Sequence, residues 1–196
     1  MGRLLWTPID VPPFPDICGL LEPSRLDEGF AFWKFLRLTE KKATPYQISD
    51  WKPEIAEGFP QLLRWFDHLP FLNLRNIKLN LQIRPVTGHI DFTKPDDDPA
   101  LWANNHGNEP CGYRILVKGN REDCLWVKKS SGARVMCRMP SDTDVYVLDH
   151  TAGFHGVNAD SDRWLIFCHA EIDTTRHSEI LAKSLGKHGN HAIWDD

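Results

Sequence analysis

From Ile77 onward the chain repeatedly changes side at every residue. The run Ile77-Lys78-Leu79-Asn80-Leu81-Gln82-Ile83-Arg84 alternates apolar and polar residues without a break, which is the two-residue period of a strand. Strand-like runs follow at Gly112 to Lys118, Cys124 to Lys128, Ala133 to Met139, Asp144 to Asp149 and Arg163 to Ile172. Turn-forming residues separate them, among them Gly119-Asn120, Ser130-Ser131-Gly132 and Pro140-Ser141-Asp142. Short strands at close, regular spacing predict a mainly β chain built as an antiparallel sandwich or barrel.

The flanks read differently. Pro8, Pro12, Pro13, Pro15 and Pro23 prevent a regular helix across residues 1 to 26, so this segment is expected to be an extended arm packed along the body through Leu4, Leu5, Trp6 and Ile9. The aromatic cluster Phe30, Phe32, Trp33 and Phe35 has no decisive period, and a short helix or an irregular packing segment is expected over 27 to 38. Ser49-Asp50 before Trp51-Lys52-Pro53-Glu54 resembles a capped helix start. Ile55, Phe59, Leu62, Leu63 and Phe66 then recur at helical spacing, divided by Gly58-Phe59-Pro60. Thr174 to Lys187 predicts a terminal helix with Ile180, Leu181 and Leu185 on one face, and His177, His188 and His191 are expected to be solvated.

With 196 residues, 41% of them hydrophobic, the chain can bury a substantial core as one domain. Its expected parts are an arm with helices over 1–70, a β-core over 72–172 and a helix over 174–190. A net charge of −4 offers no electrostatic case for nucleic acid as a partner. Five scattered cysteines without a Cys-x-x-Cys spacing speak against structural zinc and a disulfide framework. No stretch has the length of a membrane span or of a signal-peptide core, so a reducing, cytoplasmic setting without a membrane partner is expected.

Chemistry concentrates after the first alternating run. In Gly88-His89-Ile90-Asp91-Phe92 an extended backbone would project His89 and Asp91 to the same side. A third ligand is offered by His155, in Gly153-Phe154-His155-Gly156-Val157, just ahead of the strand that opens at Arg163. Two histidines and one carboxylate form the facial set that binds non-haem Fe(II) and leaves coordination positions open. Arg163 lies eight residues beyond His155. Its planar cation could take a carboxylate through two parallel hydrogen bonds.

On these residues the sequence resembles the 2-oxoglutarate and Fe(II)-dependent oxygenases, whose pattern is His-x-Asp/Glu, a distal His and a basic residue some ten positions on. More narrowly, the segment Phe154-His155-Gly156-Val157-Asn158 through Asp162-Arg163-Trp164 looks like that of the aspartyl/asparaginyl β-hydroxylase group. The resemblance spans residues 77 to 172, with a His-to-Arg interval about two residues shorter than usual. It implies a double-stranded β-helix (jelly-roll, cupin-like) core, with Fe(II) held by His89, Asp91 and His155. It also implies 2-oxoglutarate on Arg163, with Arg114 as a second anchor, and hydroxylation of an amino acid or of a side chain in a peptide. Because Asp91 fills the carboxylate position, hydroxylation is expected rather than halogenation. His150 is the alternative to His155 as a ligand. The polar stretch Lys94 to Pro110 is expected to be a surface lid, with Asp96-Asp97-Asp98 as a solvated turn. Arg84, Trp102, Asn105, His106 and Arg138 are candidates for the substrate mouth. A non-redox cupin-like module binding a metal or a small anion is the competing reading.

Overall fold

The computed structural model describes residues 2–28, 33–43, 47–91, 110, 112–150, 153–158 and 163–195. Its elements in chain order are β1 (Arg3–Ile9), β2 (Asp27–Glu28), β3 (Trp33–Arg37), α1 (Pro53–Gly58), α2 (Pro60–Phe66), β4 (Phe71–Gln82), β5 (Val86–His89), β6 (Gly112–Lys118), β7 (Leu125–Lys128), β8 (Arg134–Cys137), β9 (Val145–Leu148), β10 (His155–Val157), β11 (Arg163–Ile172), α3 (Thr174–His188) and β12 (Ile193–Asp195). The strands form two sheets, ordered β12-β1-β9-β6-β11-β4-β3-β2 and β5-β10-β7-β8. Every strand pair is antiparallel.

Both faces of the large sheet are covered. Trp164, Ile166 and Cys168 of β11, with Tyr113 and Ile115 of β6 and Val145 and Val147 of β9, pack against Ile55, Leu62, Trp65, Phe66 and Leu181 of the helices. The alternate residues Leu165, Leu116, Tyr146 and Leu148 pack against Val86, Leu125, Val127 and Val157 of the small sheet. The two-residue period thus sends successive side chains into two separate cores. The helical aromatics Trp65 and Phe66 cover a sheet face.

Four expectations are corrected. Part of the proline-rich arm is a sheet strand: β1 lies between β12 and β9. Pro8 is tolerated because β12 pairs only as far as Trp6, so at Pro8 the strand has β9 on one side and needs no N–H on the other. Residues 27–28 and 33–37 are strands, not a helix, with Phe35 paired to Asp27 and Asn80. Ser49 and Asp50 do not cap α1: the helix starts on Lys52 without a side-chain cap, and Ser49 Oγ donates to the Glu40 carbonyl at 2.7 Å. His177 and His188 are buried rather than solvated, and His177 Nδ1 lies 2.8 Å from the Tyr113 hydroxyl. Among the described residues no helix is long and apolar enough to cross a membrane.

The Tyr113–His177 hydrogen bond ties α3 to the sheet. His177→Ala should cost about 2–4 kcal/mol in urea unfolding, because a buried hydroxyl loses its partner and a cavity opens. His191→Ala, near the surface, should stay within about 0.5 kcal/mol.

Candidate metal centre

β5 and β10 are neighbours in the small sheet, and their register sets His155 opposite His89. The ring centroids lie 4.6 Å apart. Asp91 follows the end of β5, where its backbone N–H donates to the His150 carbonyl at 3.0 Å and carries the carboxylate back over the two imidazoles. Asp91 Oδ1 is 3.2 Å from His89 Nε2 and 3.6 Å from His155 Nε2, and the three ligand atoms all lie within 4.8 Å of one another.

These side chains fit a metal on chemical grounds. His89 Nδ1 donates to the Thr87 carbonyl at 2.9 Å, and His155 Nδ1 to the Gly153 carbonyl at 2.8 Å. In the neutral tautomer each Nε2 therefore presents a lone pair to the common centre. Adjacent ligand atoms on an octahedral ion with bonds of about 2.1 Å stand about 3 Å apart, close to the two separations to Asp91. Burial would push the Asp91 carboxyl up, but His89, Arg114 and His155 around it hold it below the usual carboxylate range. The same contact with Asp91 raises His89, whereas burial lowers His155. His150, the alternative ligand, is not part of the cluster: its contribution is the carbonyl that holds the Asp91 backbone.

The cluster opens into a cavity of about 410 Å³. Apolar side chains make most of its wall, including Trp33, Val86, Leu125, Leu148, Leu165 and Phe167. Arg163 enters from the first position of β11 and is 2% exposed. Its guanidinium donates to Gln82 Oε1 at 3.0 Å and to the Tyr146 hydroxyl at 3.3 Å, while Nε has no hydrogen-bond partner. Among the described residues no carboxylate pairs with it. Burial pushes the Tyr146 phenol up to about 12, so it stays protonated. Arg114 also lines the cavity, pairing with Asp91 Oδ2 at 3.3 Å and lying 4.4 Å over the Phe167 ring.

The structure therefore brings together His89, Asp91, His155, Arg114 and Arg163. Arg84 and Arg138 are exposed and do not line the cavity; Arg138 faces Glu122 at 3.8 Å. Trp102, Asn105, His106 and all of the expected lid from Lys94 to Pro110 except Pro110 itself lie outside the described residues. Sequence reasoning missed Gln82 and Tyr146, the polar partners of Arg163. The alternation held a signal for both, since Gln82 is in phase with Lys78 and Asn80, and Tyr146 is out of phase with the apolar Val145 and Val147.

No protein-family model matches the sequence, and no curated protein matches it. Among solved structures, an oxidoreductase of the 2OG-Fe(II) oxygenase family from Burkholderia pseudomallei is similar with a TM-score of 0.42 and 12% sequence identity. The likeness covers 79% of this chain and 76% of that one. So distant a likeness carries no functional weight, and the site is read from its own side chains.

Burial, followed by the Arg114 charge, pushes the His150 imidazole down to about 4 from an ordinary 6.5. Between those values the unfolded chain binds a proton that the folded chain refuses. The stabilising contribution is thus complete above about pH 6.5 and is lost as pH falls through about 4, by at most about 3 kcal/mol. Urea unfolding of metal-free protein at about pH 7, 5.5 and 4.5 should show the decline, and His150→Gln should make it shallower, the rest remaining because burial also lowers His155, His169 and His188.

Proposed function

We propose that the chain is an Fe(II)- and 2-oxoglutarate-dependent dioxygenase that hydroxylates a C–H bond of an amino acid or of a side chain in a peptide. One observation carries the reading: Arg163, a buried cation without a carboxylate partner among the described residues, shares a cavity with a two-histidine, one-carboxylate cluster. A buried charge needs a counter-charge. In a cavity next to a metal cluster, a dicarboxylate co-substrate can supply it.

The winding of the chain supports a double-stranded β-helix. From β4 to β11 the strands fall in the large, small, large, small, small, large, small and large sheet in turn. This order brings the strand ends bearing His89 and His155 over the inner face that bears Arg163.

His89 and His155 would hold Fe(II) through Nε2, and Asp91 through its carboxylate. Bound iron and 2-oxoglutarate together supply oxygen activation coupled to decarboxylation of the co-substrate to succinate and carbon dioxide. Arg163, its guanidinium plane fixed by Gln82 and Tyr146, would take the distal carboxylate of the co-substrate. Arg114 sets the orientation of Asp91 from its second oxygen. Val86, Leu125, Leu148 and Leu165 keep bulk water from the reacting atoms. The amino-acid or peptide substrate rests on the resemblance around His155 alone.

Anaerobic addition of Fe(II) and then 2-oxoglutarate to metal-free protein should give the visible absorption of a chelate. Asp91→Ala and His155→Ala should abolish it. Arg163→Met should leave iron bound and raise the half-saturating 2-oxoglutarate concentration about 30-fold, equivalent to about 2 kcal/mol. Iron-loaded, folded protein without this absorption would instead be the non-redox cupin-like module, as would protein that never consumes 2-oxoglutarate.

A further inference from the structure

The inner face of the large sheet carries a second charged feature, and strand pairing fixes its geometry. Arg37 of β3 stands opposite Lys78 of β4, Lys78 opposite Phe167 of β11, and Phe167 opposite Arg114 of β6. Neighbouring strands are about 4.8 Å apart, so the row crosses roughly 15 Å of sheet. It ends at the guanidinium that pairs with Asp91.

Aromatic rings fill the spaces between the cations. Lys78 Nζ is 4.9 Å from the centroid of Phe35, and Arg37 Cζ is 6.0 Å from the same ring. Trp33 meets Phe167 edge-on at 5.2 Å. Trp33, Phe167 and Arg114 also line the metal cavity, so strip and cavity form one continuous surface.

This row is organised but not neutralised. Arg37 donates to Asn76 Oδ1, and Asn80 Nδ2 is committed to the Lys78 carbonyl at 2.9 Å. Among the described residues neither Arg37 nor Lys78 has a carboxylate partner, although both are half-buried. Burial, followed by the Arg37 charge, pulls the Lys78 pKa down, the mark of a cation lacking compensation. His169, further along β11, adds no further positive charge, since burial and Arg114 keep it neutral. Cations gathered on an aromatic floor beside a reaction cavity suit an anion with a flat or apolar body.

We propose that Lys78 and Arg37 anchor the substrate through a carboxylate, with its apolar body along Phe35, Phe167 and Trp33 and its far end at His89, Asp91 and His155. Which end reacts rests on the dioxygenase reading; the anchor itself does not. A phosphate would pair with the same two cations, and the titration below separates it from a carboxylate.

The test is calorimetric titration of the protein with 2-naphthoate, 2-naphthamide and 2-naphthyl phosphate. Naphthoate should bind at least about tenfold more tightly than the other two. Lys78→Met and Arg37→Met should each weaken it about tenfold or more, Lys78→Arg should retain it, and Arg138→Met, outside the cavity, should leave it unchanged, with folding of every variant verified by its urea midpoint. Equal binding of the amide, or loss through Arg163→Met but not through Lys78→Met, would overturn the anchor. Tighter binding of the phosphate would overturn the carboxylate assignment. The iron–2-oxoglutarate absorption of the Lys78→Met protein separates the two claims. Absorption without naphthoate discrimination in the parent sinks the anchor; discrimination without absorption sinks the dioxygenase and leaves the anchor standing.

Discussion

The alternation along β11 is the constraint on which the rest depends. This strand is bonded to β4 along one side and β6 along the other, and its two faces enter different cores. One face is committed to Trp164, Ile166 and Cys168 beneath the helices. The other must then carry Arg163, Leu165 and Phe167 into the cavity. A one-residue slip in register would bury the guanidinium among helices and turn Trp164 into the cavity beside His89, Asp91 and His155. The ten ladder pairs with β4 hold against that slip.

Within this frame the electrostatics are arranged around Asp91. Desolvation opposes its charge, and three neighbours restore it: His89 and His155 on one oxygen, Arg114 on the other. Both imidazoles are already committed at Nδ1 to carbonyls of their own loops, so their orientation does not depend on a bound ion. The site is thus preorganised by backbone on the histidine side and by a cation on the carboxylate side.

Much of this was legible from residues alone, and the exceptions have physical causes. The runs Gly112 to Lys118 and Arg163 to Ile172 match their strands because a sheet covered on both faces by different cores still alternates cleanly in contacts. His89, His155 and Arg163 sit on strands at positions their phase made readable, whereas Asp91 lies in a bend beyond β5 and joins them through its backbone bond to His150. β3 was not readable, since Trp33, Phe35 and Arg37 serve one face while Phe30 and Phe32 run into it just ahead, which blurs any period. β1 was hidden by Pro8, whose tolerance depends on where β12 ends, a fact held elsewhere in the chain. The buried His177 could not be recognised without Tyr113, its partner across the sheet.

The pairing of β1 with β9 and β12 also bears on how the chain acquires its structure. Trp6 meets Leu148 and Ile193, and Arg3 meets Asp195, so β1 finds its neighbours only far along the sequence. Loop closure over such separations is entropically costly and is rewarded late. β4 and β11, which build the floor of the cavity, can join without β1, whereas the edge of β9 stays open until β1 docks. Assembly should therefore be slow, with the cavity floor formed before the sheet is closed and an unpaired strand edge exposed in the interval.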